Sequence, residues 1–223
     1  MTTTMKGAIF DMDGLLLDSE RLYQRCWHQL ARERGVTLPP DFAVRITGSG
    51  QGVTQQILGS CFPGEDPRAL NLACRAMVME LEKTDLQLKP GAAELLPALQ
   101  RAGYRLAVAS SSPRDMVRTN LERTGILGFF DTLVCGDEVR RGKPEPDIFL
   151  LAAGRLALPP AECYVLEDSA NGLLAARAAG CRAVMIPDLV PPAPELTAFA
   201  AVYPDLTAFG KAVIAQLSGL QGI

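Results

Sequence analysis

The sequence predicts an α/β fold in which helices flank a parallel β-sheet and a small all-helical domain is inserted after the first strand. Two observations lead to this prediction. After residue 90, short apolar segments typical of buried strands alternate with helical segments, a pattern typical of a parallel sheet covered on both faces. Between the first strand and the second, the pattern is helical only and far longer than one strand–helix–strand unit requires.

The first predicted strand is the apolar run at residues 6–10, and the segment Asp11-Met12-Asp13-Gly14 follows it directly. Carboxylates are costly to bury without partners, so this pair at a strand end indicates either an acidic turn or a binding site. Gly14 allows the backbone to turn sharply or to approach a ligand closely.

The spacing of the polar residues predicts an inserted segment. Asp11 and Ser110 lie 99 positions apart (110 minus 11), whereas a βαβ unit takes about 30, which leaves roughly 65 to 75 additional residues. We therefore predict one domain from residues 1–16 and 88–223 and an inserted domain from residues 17–87. Helical patterns in the insert cover residues 19–34, 40–46, 52–58 and 67–83.

The remaining elements alternate along the chain. Strands are predicted at residues 105–109, 132–135, 163–166 and 182–186, with a short edge strand at 200–203. Helices are predicted at residues 92–102, 113–123, 147–156, 170–179 and 207–217. Pro113 suits the first turn of a helix and Gly180 suits a helix end.

Three further polar clusters lie at or near predicted strand ends: Ser110-Ser111-Ser112-Pro113, Gly142-Lys143-Pro144-Glu145-Pro146-Asp147 and Glu167-Asp168-Ser169-Ala170-Asn171-Gly172. The carboxyl ends of parallel strands share one edge of the sheet, where ligands bind. Carboxylates gathered there repel one another unless a cation joins them. Oxygen donors without matching His or Cys suit a hard ion such as Mg²⁺.

Taken in order, these motifs resemble those of the haloacid dehalogenase superfamily, in the phosphatase branch that carries a helical cap after the first motif. The order and the spacing of the motifs between residues 11 and 172 both fit. The resemblance implies a Rossmann-like core and a cap domain that sets substrate specificity. It also implies an Mg²⁺-dependent phosphatase that acts on a small phosphorylated metabolite, either a sugar phosphate or a nucleotide-like phosphate, through an aspartyl-phosphate.

The resemblance further implies catalytic roles for three residues. Asp11 would be the nucleophile, Asp13 the general acid and then the general base, and Lys143 would neutralise both the nucleophile and the phosphate. Physical chemistry agrees with these roles, since an ionised carboxylate can attack phosphorus and a second carboxyl group can protonate the leaving oxygen. A lysine between prolines is otherwise typical of a surface loop.

Phosphate and metal ligands are implied in the same way. Ser110 and the backbone N–H of Ser111 would bind phosphate, although Ser-Ser-Ser-Pro alone is typical of a helix cap. Asp168 would be the main Mg²⁺ ligand besides Asp11, with help from Glu167 and the carbonyl of Asp13. The alternative for Glu167-Asp168 is a capping pair before the next helix.

Substrate selection is implied for the cap, with Ser19, Glu20, Tyr23 and Gln51 as candidates. Gln51 lies in a Gly-rich turn at residues 48–52, which resembles the specificity loop of capped family members. Such turns are also plain connectors.

Two alternatives to a phosphatase stay open. A β-phosphoglucomutase has the same motifs, but the family's mutases place an Arg and a His where this chain has Gln51 and Tyr23. The positively charged side chains that would bind a second phosphate are therefore missing at these positions. A catalytically idle regulatory protein on the same fold is the other, since fold alone does not fix function.

The composition limits the partners. The net charge is −3 and no basic tract is present, which argues against nucleic acid. No apolar run approaches the roughly 20 residues of a membrane span, and the first residues lack the apolar core of a signal peptide. We therefore expect a cytoplasmic protein; the sequence does not determine the oligomeric state, and a monomer is favoured.

Overall fold

The computed structural model describes residues 6–220, without the side chains of Gln51 and of residues 216–220. The chain divides into two compact units. The first unit extends to Leu17 and resumes at Leu88, and the second unit is Asp18–Gln87.

A six-stranded parallel sheet forms the centre of the first unit. Its strand order is β3-β2-β1-β4-β5-β6, the order of doubly wound α/β folds. This arrangement confirms the predicted fold class. The strands are β1 (Gly7–Phe10), β2 (Arg105–Ser110), β3 (Thr132–Cys135), β4 (Cys163–Glu167), β5 (Arg182–Met185) and β6 (Ala201–Val202).

The helices of the second unit are α1 (Ser19–Glu33), α2 (Phe42–Ile46), α3 (Gln51–Cys61) and α4 (Pro67–Asp85). Those of the first unit are α5 (Ala92–Arg101), α6 (Arg114–Arg123), α7 (Asp147–Arg155), α8 (Ala170–Ala178), α9 (Pro194–Thr197) and α10 (Leu206–Leu220). The short helix α9 was not predicted, because its proline-rich surroundings are typical of a loop. Within residues 6–220, none of the helices has both the length and the apolar character that a membrane crossing requires.

Strand β1 is central and completely buried, which explains its uninterrupted apolar sequence. Ile9 belongs to one apolar core with Val165 of β4, Phe149 of α7 and Leu173 of α8. The side chains that face these helices thus hold β1 and β4 in place. Because both strands are fixed along their length, the residues that follow them are fixed as well.

The strand order reverses between β1 and β4, and this reversal locates the site. The loops that leave two such strands turn away from each other, which opens a crevice at their carboxyl ends. Phe10 of β1 pairs with Val108 of β2 and with Leu166 of β4. Asp11 therefore enters the crevice directly after β1, and its backbone N–H donates to the Leu166 carbonyl at 3.0 Å.

The second unit has an apolar core of its own. Leu22, Cys26 and Leu30 are buried at helical spacing on α1. Trp27 of the same helix packs edge to face on Phe42, with ring centroids 6.0 Å apart. Helices α3 and α4 complete this core with Leu58, Leu70, Cys74 and Val78.

The two chain segments that join the units run side by side. Leu17 and Leu88 form an antiparallel bridge, and the N–H of Lys89 donates to the Leu16 carbonyl at 2.8 Å. One residue further out, the N–H of Asp18 donates to the carbonyl of Gln87 at 2.9 Å. The insert therefore begins and ends at the same place.

Candidate active site

One buried lysine lies between two carboxylates at the carboxyl edge of the sheet. Nζ of Lys143 is 2.5 Å from Oδ1 of Asp11 and 2.5 Å from Oε1 of Glu167. It also donates to the carbonyl of Ala109 at 3.1 Å. The lysine side chain is 7% exposed and that of Glu167 is 0% exposed. The structure thus brings together three predicted residues that follow β1, end β4 and precede α7.

Burial and charge act against each other in this group. Burial raises the pKa of Asp11 to about 8; the charge of Lys143 opposes this shift, and Glu167 and Asp13 add to it. For Lys143, burial favours the neutral amine, but the carboxylates of Asp11 and Glu167 outweigh burial and raise its pKa. The lysine is therefore positively charged at neutral pH, and Asp11 and Glu167 share this one cation.

Both oxygens of Glu167 are held by protein groups. Oε1 accepts from Lys143, and Oε2 accepts from the N–H and the Oγ of Ser169, at 3.2 and 2.9 Å. Gly172 of α8 makes room for this carboxylate, because a Cβ at that position would lie 1.9 Å from the carboxyl carbon. Glu167 is thus an orienting partner of Lys143, and these contacts reduce its capacity to bind a metal ion.

The predicted metal ligands converge. Asp11, Glu167 and Asp168 each offer a carboxylate oxygen, and these atoms lie within 4.8 Å of one another. Gly14 has φ of 80°, and a Cβ there would lie 2.4 Å from Oδ2 of Asp168, so the glycine lets that carboxylate approach. An all-carboxylate set of this kind fits a hard divalent cation such as Mg²⁺.

Asp13 and the serine segment after β2 are joined by a hydrogen bond. Oγ of Ser112 donates to Oδ2 of Asp13 at 3.1 Å, and the N–H of Ser112 donates to Oγ of Ser110 at 3.1 Å. Ser110 is buried and Ser111 is exposed. A role for Ser112 was not predicted, because its position at a helix start is typical of a cap.

A second acidic cluster at the end of β3 has a different character. Cys135, Asp137 and Glu138 lie close enough for one ion. However, the Glu138 carboxylate accepts from Arg114 at 2.5 Å and from Arg155 at 2.7 Å. Partial burial raises the pKa of Glu138, but hydrogen bonds from Arg155, the Cys135 backbone and Arg114 lower it to about 2. This cluster ties two helices to β3.

The predicted cap residues are spread over the start of the second unit. Ser19 is buried at the first position of α1, and Glu20 accepts from Oγ1 of Thr47 at 3.3 Å. Gln51 begins α3, and its side chain lies outside the described part of the chain.

Tyr23 lines a polar cavity of about 430 Å³ that lies within the second unit. The other lining residues are Trp27, Ile46, Ser49, Thr54, Asn71 and Arg75. Asn71 and Arg75 were not predicted, because the pattern of α4 identifies its buried face but not the groups that its other face brings near Tyr23. The cavity therefore contains a cation, Arg75, that the sequence alone does not reveal.

The chain is similar to known proteins along most of its length. The family model described as haloacid dehalogenase-like hydrolase matches residues 5–180. The chain is 37% identical over 188 residues to the "Probable pseudouridine-5′-phosphatase" of Drosophila melanogaster, covering 81% of this chain and 80% of that protein. It is 33% identical over 181 residues to the "Phosphorylated carbohydrates phosphatase" of Thermotoga maritima, covering 79% of this chain and 82% of that protein. A haloacid dehalogenase family hydrolase from Deinococcus radiodurans, solved with bound phosphate and sodium, superposes with a TM-score of 0.81 at 27% identity, covering 97% of each chain.

Proposed function

Because the chain belongs to the haloacid dehalogenase-like hydrolases, we propose that it is an Mg²⁺-dependent phosphatase that hydrolyses a small phosphate monoester through an aspartyl-phosphate. The observation that carries this proposal is the position of Asp11 beside the buried cation Lys143, with Asp168 close by. Relatives that are named as phosphatases support the same reaction class.

Asp11 is the nucleophile in this proposal. Lys143 holds Oδ1, so the carboxylate is fixed in orientation and one of its oxygens is directed away from the lysine. That oxygen attacks phosphorus and the bond to the leaving oxygen breaks, which gives an aspartyl-phosphate. Asp11, Asp168 and in part Glu167 would hold Mg²⁺, which when bound supplies positive charge against the phosphate oxygens.

Asp13 moves the protons. Its protonated carboxyl group donates to the leaving alkoxide in the first step, and the resulting carboxylate takes a proton from water in the second. The water oxygen then attacks phosphorus, the bond to Asp11 breaks, and inorganic phosphate leaves. The hydrogen bond from Ser112 orients Asp13 for both transfers.

We propose that the cavity of the second unit contacts the organic part of the substrate. Its lining offers a phenol, two hydroxyl groups, an amide and a guanidinium on an aromatic wall. These groups suit a polyhydroxylated molecule such as a sugar or a nucleoside. Relatives named for phosphorylated carbohydrates and for pseudouridine 5′-phosphate support this substrate class.

A panel of sugar phosphates and nucleotides, assayed for inorganic phosphate with and without Mg²⁺, tests the proposed reaction. We expect Mg²⁺-dependent phosphate release from several members. A sugar 1-phosphate supplied with a trace of its bisphosphate distinguishes the mutase. Rapid isomerisation without release of phosphate would overturn the phosphatase assignment.

The proposed Mg²⁺ site leads to a prediction for a substitution of Asp168. We expect the Asp168→Ala variant to need a much higher Mg²⁺ concentration for half-maximal rate, since it loses the ligand that Gly14 admits. Rates measured over a series of Mg²⁺ concentrations give this value, and the exposed Asp115→Asn variant is the control. Full activity of the wild type after exhaustive metal removal would contradict the metal site.

The position of Arg75 in the cavity leads to a prediction about substrate binding. We expect the Arg75→Ala variant to raise KM by about 10- to 100-fold, because a charge-assisted hydrogen bond contributes roughly 1.5–3 kcal/mol. The matched control is Arg68→Ala on the same helix, whose side chain is exposed and does not line the cavity. Equal KM values for the two variants would show that the cavity does not contact the substrate.

A further inference from the structure

A partly buried ion pair lies next to the metal ligands and has no part in the mechanism above. Nζ of Lys89 is 2.5 Å from Oδ1 of Asp188, and the two side chains are 20% and 9% exposed. Lys89 follows the second connection to the insert, and Asp188 lies in the loop after β5. The pair joins two segments that are 99 positions apart in sequence.

The second oxygen of Asp188 is buried and accepts no hydrogen bond from any residue that the structure describes. This oxygen points to the same place as Asp168. A Cβ built on Gly14 would lie 2.4 Å from Oδ2 of Asp168 and 3.4 Å from Oδ2 of Asp188. The two carboxylates therefore approach one glycine from neighbouring strands, β4 and β5.

This arrangement requires hydrogen-bond donors or positive charge. A buried carboxylate oxygen without a hydrogen-bond donor is unfavourable. Two carboxylates that both lie close to Gly14 also repel each other. Lys89 satisfies only Oδ1 of Asp188. Mg²⁺ usually keeps several waters when protein carboxylates bind it, and those waters are hydrogen-bond donors.

We propose that Asp188 is a positioning residue of the Mg²⁺ site. Its Oδ2 accepts a hydrogen bond from the hydration shell of the cation that Asp11 and Asp168 hold, while Lys89 fixes its Oδ1. The inference rests on the proposed function, because it requires the cation. Groups that support a metal site from outside the ligand set change metal affinity by about 10- to 100-fold.

The test compares three variants without substrate: Asp188→Asn, Lys89→Met and the double variant. The double variant is decisive, because it keeps the net charge and leaves no unpaired buried charge. Isothermal titration of Mg²⁺ into metal-stripped protein gives Kd, and thermal unfolding in EDTA reports the structural role of the pair. Asp168→Ala is the control for loss of a direct ligand.

We expect the single Asp188→Asn change and the double change to raise the Kd for Mg²⁺ by about 10- to 100-fold, and Lys89→Met to raise it by less than about tenfold. A Kd for the double variant within tenfold of wild type overturns the proposal. So does an equal loss of affinity in Lys89→Met, which would make the pair purely structural. If the wild type itself does not bind Mg²⁺, the proposed function fails and not this inference alone.

Discussion

The Asp11→Asn variant is expected to lose turnover and keep its fold. Asparagine has the shape of aspartate, but its amide is neither a nucleophile nor a charged metal ligand. We expect the rate of phosphate release to fall by at least about 10³-fold, as when a group central to a covalent mechanism is removed. A residual rate above that level on a good substrate would mean that Asp11 is not the nucleophile.

The same variant has an expected effect on stability in EDTA. Burial raises the pKa of Asp11 from 3.8 to about 8, so the folded protein binds more protons than the unfolded chain between these values. The free energy of unfolding of the metal-free wild type therefore falls as pH rises from about 4 to about 8. Asparagine does not titrate, so the variant lacks this decline.

Thermal unfolding at a series of pH values measures the effect. We expect the Tm of Asp11→Asn, relative to that of the wild type, to rise as pH increases from about 4 to about 8. Asp115→Asn, which changes an exposed carboxylate, is expected to follow the wild type. A difference in Tm that does not change with pH would contradict the raised pKa.

The second large effect is expected from Gly172→Ala. The new Cβ would lie 1.9 Å from Cδ of Glu167, whose side chain is completely buried and holds Lys143. Glu167 has to move, and Lys143 then loses one of its two carboxylates. We expect the free energy of unfolding to fall by about 1–3 kcal/mol, as for other overpacked cores, and activity to fall with it.

Gly154→Ala is the matched control for this substitution. Gly154 lies in helix α7, and a Cβ there would meet nothing within 4 Å. Alanine is a better helix former than glycine, so we expect this control to gain about 0.5–1 kcal/mol. Urea unfolding and phosphate release compare the two variants. If Gly172→Ala is as stable and as active as Gly154→Ala, the contact between α8 and Glu167 contributes neither to stability nor to activity.

Much of the sheet and its site was predictable from the sequence. The apolar runs of β1 and β4 are continuous because both faces of these strands are covered. Since parallel strands end at one edge, polar residues after them must meet there. Lys143 and Asp11 are 132 positions apart, yet their hydrogen bond follows from this rule together with the family resemblance.

Other parts of the site were not predictable, for a physical reason. Arg75 lies on the exposed side of α4, and only the packing of α1 on α4 places it in a cavity with Tyr23. Asp188 follows an ordinary strand end, and its partner Lys89 belongs to a distant segment. The position of Gly172 against Glu167 depends on side-chain packing, which no periodicity reveals.

The two adjacent connections have a consequence for how proteins of this design diversify. Because Leu17 and Leu88 are bridged to each other, the two ends of the segment Asp18–Gln87 lie side by side. Closing a longer or shorter loop across the same ends changes the entropy of the chain only slightly. One contiguous stretch of coding sequence can therefore be exchanged while the strands β1 and β2 keep their pairing. Under the proposed role of the second unit in binding the substrate, recombination at these two points would change the substrate range in a single event.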